Sequence, residues 1–260
     1  MSSNSPDLPG DFLRLPLAHR GLHDRAAGVI ENSRAAVRAA IAGGYGIEID
    51  VQVAACGEAM VFHDATLRLL TGRIGQVAAR TATELATIPL AGAADAETIP
   101  ALPDILDLVA GRAPLLIELK DPDAMLGPGS GKLEARVAAC LQGYGGPVAV
   151  MSFNPNSMKA MAVMAPEIPR GLTTCDFIGA GWALPDYRRA ELAGITDFDA
   201  SGASFISHNW KELDNPALGA LKARGVPVLC WTVKSPGEDR LARRVADNVT
   251  FEGYPARPGG

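Results

Sequence analysis

At 260 residues with 48% hydrophobic content, the chain can bury a substantial core, in one large domain or two small ones. A net charge of −5 and the absence of any Lys/Arg-rich run argue against a nucleic-acid surface, so an anionic substrate would need a local cation to hold it. No run approaches the roughly 18 apolar residues of a membrane span, and the first residues lack a basic start followed by an apolar stretch. The four cysteines (Cys56, Cys140, Cys175, Cys230) are scattered and form no C-x-x-C pair. These features predict a cytoplasmic protein with reduced thiols and no stable membrane insertion.

In chain order, eight short apolar runs read as strands: Leu15–Ala18, Ile47–Val53, Met60–Phe62, Pro114–Leu119, Val148–Met151, Arg170–Leu172, Ser204–Ser207 and Val226–Thr232. Amphipathic stretches lie between several of them. "NSRAAVRAAIAGG" opens on a capping Asn32 or Ser33 and stops at Gly43-Gly44. "LPDILDLVAGR" places Leu102, Ile105, Leu106 and Val109 on one face, and "NPALGALKARG" repeats the pattern late in the chain. This alternation predicts an α/β fold, a (β/α)8 TIM barrel in one domain spanning 1–260. An open doubly wound sheet is the alternative, but no G-x-G-x-x-G follows the first strand.

Two departures from a regular barrel are expected. Val53 to Met60 is too short for a helical crossover, and "AACGE" reads as a turn, so the second and third strands should form a tight antiparallel excursion. A turn centred near Cys56-Gly57 would set Asp50 opposite His63. Residues 64–100 are low in strand signal and read as a small insertion after the third strand, over one end of the barrel.

Barrel enzymes carry their reactive groups at the C-terminal ends of strands. Here the first four predicted strands each end in titratable residues: His19 and Arg20, then Glu48 and Asp50, then His63 and Asp64, then Glu118 and Lys120. In "GIEIDVQV" Glu48 and Asp50 share one strand face, while Ile47, Ile49 and Val51 pack outward under the helices. The same alternation puts Glu118 and Lys120 on one face of "PLLIELKD". Three inward carboxylates repel unless a cation lies among them, and an all-oxygen set suits Mg²⁺ or Ca²⁺. The competing reading is a buried salt-bridge network neutralised by Arg20 and Lys120. With an ion present, His19 and His63 form an acid/base pair, and Arg20 and Lys120 hold a phosphoryl group, which together point to phosphodiester cleavage. His23 falls in a loop and reads as solvated. For His208 packing and a substrate contact stand level.

The run "HRG", "ENS", "EIDVQ", "VFHD", "LTG", "IPALPDIL", "LIELK", "MSFNP" and "CWTV" resembles, in order, the successive motifs of the glycerophosphodiester phosphodiesterase family, from Leu17 to about Tyr254. The resemblance implies a phospholipase-C-like TIM barrel that hydrolyses glycerophosphodiesters to sn-glycerol 3-phosphate and an alcohol with a divalent metal ion. Carried across by motif, it implies His19 and His63 as acid/base residues. It implies Glu48, Asp50 and Glu118 as metal ligands, and Arg20 and Lys120 as phosphate contacts. Trp231, at the end of the last predicted strand, matches an aromatic wall of the glycerol pocket, with ordinary core packing as the equal alternative. Glu31 matches a glutamate that starts the first helix, where a carboxylate suits the helix dipole and can steady Arg20. The chain departs from the family pattern at Arg68-Leu69-Leu70, at Cys56, at Lys234 and in the ending "NVTFEGYP", which resembles a bacterial subgroup.

A relative that forms a cyclic phosphate would use nearly the same residues, and a binding barrel without turnover is the reading from another class. A metal-dependent isomerase or aldolase would want one base and no Arg/Lys clamp. The expected partner is a small glycerophosphodiester. The head group, the choice of Mg²⁺ or Ca²⁺, the attacking group (water or the substrate 2-hydroxyl) and a homo-oligomeric state stay open at this point.

Overall fold

The computed structural model describes residues 6–121, 126–129, 131–179 and 181–258. Nine strands are present among them: β1 (Leu17–Ala18), β2 (Gly46–Val53), β3 (Ala59–Val61), β4 (Leu115–Leu119), β5 (Val148–Ser152), β6 (Arg170–Thr174), β7 (Phe205–Asn209), β8 (Val228–Val233) and β9 (Asn248–Phe251). Eight of them, all but β3, pair in parallel and close into a ring through β1, which bonds both β2 and β9. Helices occupy the crossovers, so the architecture is the (β/α)8 barrel.

The membership of that ring differs from the sequence reading in one strand. Met60–Phe62 is not a barrel stave; β3 runs antiparallel on the outside of β2. The eighth stave is β9, which the sequence reading missed. Its inward positions Asn248 and Thr250 are polar, and its outward Val249 and Phe251 are too short a pair to register as an apolar run. Trp231 therefore lies on the seventh stave, β8, not the last. The register of the hairpin also shifts. Val53 pairs with Ala59, and the Phe62 N–H donates to the carbonyl of Asp50. Phe62, not His63, thus faces Asp50, because the turn centres on Cys56, half a residue earlier than expected.

The helices form where sequence pattern and caps coincide. In Arg34–Ala42, Ser33 is the cap, its hydroxyl accepting from the N–H of Ala36, while the neighbouring Asn32 is left for other work. In Leu102–Val109 the four expected apolar residues are all buried. These faces cover the outward side chains of the staves, Ile47, Ile49 and Val51 among them. The barrel bottom is closed by the N-terminal segment: Phe12, fully buried, packs with Leu17, Leu116, Phe205 and Leu229, and Asn248 donates to the carbonyls of Phe12 and Leu15. Residues 64–100 carry only short helical turns. Their Leu67, Leu70, Val77, Leu85 and Ile99 share an apolar cluster with Ile30, Met60 and Phe62.

Candidate active site

With the bottom closed mainly by apolar side chains, the charged inward residues collect at the other end of the ring. A cavity of about 100 Å³ opens there, lined by His19, Arg20, Glu48, Asp50, His63, Glu118 and Lys120 and walled by Met151, Phe153 and Trp231. Every residue singled out for acid/base, metal or phosphate work lines this one cavity. No residue of 64–100 does.

Local backbone chemistry explains the first motif. His19 extends β1 by donating its N–H to the carbonyl of Phe251. Arg20 then turns the chain in the left-handed region, at φ 55°, and Gly21 follows at φ 77°. A Cβ at Gly21 would lie 2.8 Å from the Cβ of Ala36, so only glycine fits. The turn aims the Arg20 N–H at Glu48 Oε2, 2.9 Å away. It also sends the guanidinium to Glu31 at 2.6 Å and to Asp50 at 3.4 Å. Glu31 thus steadies Arg20 rather than facing the cavity.

Glu48, Asp50 and Glu118 stand on adjacent staves, Asp50 paired in register with Glu118. Their ligand oxygens lie within 4.8 Å of one another, and all three side chains are buried. Lys120 Nζ contacts Asp50 Oδ1 at 2.7 Å and also bonds Glu118. Asn32 holds Asp50 from both sides, donating to Oδ2 at 2.9 Å and accepting from its N–H. Burial opposes ionisation of Asp50, yet Lys120, His63 and Arg20 together hold its carboxyl well below the usual range. Glu48 is the opposite case. Burial, then the charges of Asp50 and Glu118, push it well above that range, against the Arg20 N–H and the Lys120 charge, and among the described residues it forms no ion pair. The salt-bridge network anticipated from the sequence therefore exists but leaves Glu48 without an ion pair among the described residues. That shortfall, with an all-oxygen donor set, is what a hard divalent ion would fill.

Each cavity histidine has its own carboxylate. His19 Nδ1 lies 2.6 Å from Glu252 Oε2, and His63 Nδ1 lies 2.7 Å from Asp64 Oδ1. Ionised carboxylates only accept, so each takes the Nδ1–H of its histidine and Nε2 is left for other partners. Burial lowers the His19 pKa, with the Glu252 bond acting against it, and the His19 bond, together with the nearby His23 imidazole, lowers Glu252 strongly. The Gln52 side-chain amide donates to the His63 carbonyl and fixes that residue beyond the end of β3.

Sequence reasoning missed Glu252 and gave Asn32 only a capping role. The alternation Asn248, Thr250, Glu252 was the available signal for the first. His208 proves to be a packing residue: it is fully buried, with Nδ1 bonded to Thr174 Oγ1 and Nε2 to the carbonyl of Glu212. His23 is not merely solvated, for its Nε2 is 3.7 Å from Glu252 Oε2. Trp231 donates its indole N–H to the Ser207 carbonyl and sets its ring edge-on to Phe153, at 5.4 Å between centroids.

An eight-stranded barrel with a polar cavity at the C-terminal ends of its strands belongs to the class of TIM barrels built around one end-on site. The Glycerophosphoryl diester phosphodiesterase family matches residues 19–250, and the chain belongs to that family. It is 32% identical over 166 residues to the glycerophosphodiester phosphodiesterase of Caldanaerobacter subterraneus subsp. tengcongensis, a match spanning 61% of this chain and 65% of that protein's length. Among solved structures, an Oleispira antarctica phosphodiesterase in complex with the product sn-glycerol-3-phosphate is similar at TM-score 0.71 and 22% identity, over 93% of this chain and 94% of that one. The glycerophosphodiester phosphodiesterase of Agrobacterium tumefaciens is similar at TM-score 0.68 and 24% identity, over 92% and 96%. At these identities the structural likeness concerns the fold.

Proposed function

We propose that this chain hydrolyses small glycerophosphodiesters to sn-glycerol 3-phosphate and an alcohol. The observation that carries the reading is one cavity joining two carboxylate-bonded histidines, three carboxylates and two cations. The family membership and the product named for the Oleispira antarctica protein support the substrate class. Glu48, Asp50 and Glu118 would hold a divalent ion, Mg²⁺ or Ca²⁺. Such an ion supplies Lewis-acid stabilisation of charge on the phosphoryl oxygens.

The protein's own groups do the rest. Arg20, fixed by Glu31, and Lys120 face the phosphoryl group as fork and point charge. Of His19 and His63, one takes the proton of the attacking oxygen and the other protonates the leaving alkoxide. Their Nδ1–H bonds to Glu252 and Asp64 keep the working nitrogen turned to the cavity. Phe153 and Trp231 give the non-reacting part of the substrate an apolar wall and limit water. We read residues 64–100 as an insertion within one barrel domain. Because the described cysteines are all free thiols, we place the protein in the cytoplasm; no helix among the described residues is long and apolar enough to cross a membrane.

The test is a ³¹P NMR time course of glycerophosphocholine with the protein and Mg²⁺ or Ca²⁺. Conversion to the glycerol 3-phosphate monoester is expected. A cyclic phosphate that persists would assign the chain to the lyase-type alternative, and an unchanged diester that binds would assign it to a non-catalytic barrel.

A further inference from the structure

Beside the carboxylate cluster lies a second group of metal-type ligands. One ligand atom from each of His19, His23 and Glu252 falls within 4.8 Å of the other two, with His19 Nδ1 at 2.6 Å and His23 Nε2 at 3.7 Å from Glu252 Oε2. The three have the donor set of a zinc-class ion, two imidazoles and a carboxylate with no thiolate. Tetrahedral ligands about 2.0–2.1 Å from zinc stand roughly 3.3 Å apart. The His23–Glu252 separation of 3.7 Å is close to that spacing and too long for a hydrogen bond. His23 Nε2 is buried and makes no hydrogen bond. The His19–Glu252 pair, at 2.6 Å, has only to open by less than an ångström.

Access separates this group from the carboxylate cluster. His23 and Glu252 line an outer groove of about 750 Å³, bordered also by Asp24, Arg25, Tyr45 and Tyr254, whereas His19 faces the catalytic cavity. An ion can therefore reach the group from outside, without crossing the cavity. Lys234 pairs with Glu252 Oε1, which leaves Oε2 turned to the histidines. Orienting His19 needs Glu252 alone, and that leaves the placement of His23 unexplained by the catalytic reading.

We propose that His19, His23 and Glu252 form a second, inhibitory site for a zinc-class divalent ion, entered from the outer groove. Binding at Nδ1 moves the single proton of the neutral His19 ring to Nε2. The ring can then neither accept a proton on the cavity side nor act as an imidazolium acid. The inhibition, though not the binding, rests on the acid/base role proposed for His19.

The experiment titrates the Mg²⁺-saturated protein with Zn²⁺, following turnover and calorimetric binding, and repeats the binding with Co²⁺ as a visible-absorption probe. One zinc is expected to bind and abolish turnover, and excess Mg²⁺ should not relieve it. His23→Gln and His23→Ala should keep Mg²⁺-supported turnover and a wild-type circular dichroism spectrum. Both should need at least tenfold more zinc for half-inhibition, and both should lose the tetrahedral Co²⁺ spectrum. Inhibition that is unchanged in these variants overturns the proposal. So does inhibition relieved by Mg²⁺, which would place zinc on Glu48, Asp50 and Glu118, or a Co²⁺–thiolate charge-transfer band, which would place it on the exposed Cys56. Zinc that binds through His23 without slowing turnover overturns the inhibition and removes His19 from the chemistry, while the diester assay with Mg²⁺ alone still judges the activity.

Discussion

Glu48→Gln should make the ion-free protein more stable and the enzyme nearly inactive. The Glu48 side chain is buried, and its ligand oxygen lies within 4.8 Å of those of Asp50 and Glu118. At 4.8 Å, two like charges in an effective dielectric of about 20 repel by about 3.5 kcal/mol. Lys120 contacts Asp50 and Glu118 and offsets much of their charge, but among the described residues Glu48 forms no ion pair and accepts the N–H of Arg20. Glutamine keeps an acceptor for that N–H and removes the charge. The expected gain at pH 8 in EDTA is therefore roughly 1–3 kcal/mol, a fraction of the bare repulsion.

The pH dependence has a definite sign. The folded-state pKa of Glu48 lies above its unfolded value, so the folded protein keeps a proton that the unfolded chain has released. Wild-type stability must then fall as pH rises from the ordinary carboxylate range to the raised value. The advantage of the variant should vanish near pH 4, where roughly half or more of the carboxyl is protonated in either state, and should grow toward pH 8. Urea unfolding in EDTA across that range measures it. Adding Mg²⁺ or Ca²⁺ should reverse the order, because only the wild type gains from the ion. A variant less stable than wild type at pH 8 in EDTA, or one stabilised equally by the ion, would refute the reasoning.

Three further outcomes are expected. His19→Ala should lower kcat by about 10²–10⁴-fold while calorimetric Mg²⁺ binding stays near wild type; a near-normal rate would remove His19 from the mechanism. Glu252→Gln should lower kcat more than it raises KM, since it weakens the bond that orients His19 without touching the phosphate contacts. Phe12→Ala, at the sealed bottom of the barrel, should cost about 3–5 kcal/mol in urea unfolding and leave kcat/KM unchanged below the transition.

The sequence carried the barrel and most of its cavity because both rest on period-2 alternation. In β2 and β4 apolar side chains point to the helices and charged ones to the interior, so Glu48, Asp50, Glu118 and Lys120 were legible from spacing alone. The same rule hid β9, a short stave whose inward residues are Asn248 and Thr250, and with it went Glu252. The hairpin register failed by one residue, because a turn centre is set by backbone bonds such as Ala54 N–H to the Glu58 carbonyl. Asn32 and Ser33 were indistinguishable as caps; only the tertiary approach of Asp50 claims Asn32. Long-range pairs, His19 with Glu252 above all, have no local signature.

The most direct test of the central claim is the release of sn-glycerol 3-phosphate from glycerophosphocholine and glycerophosphoethanolamine by protein stripped with EDTA, before and after Mg²⁺ or Ca²⁺ is restored. No release is expected from the stripped wild type, with recovery by at least one of the two ions and no recovery in Glu48→Gln at the same ion concentration. Full release in EDTA, or none from a folded wild type with either ion, would contradict the claim.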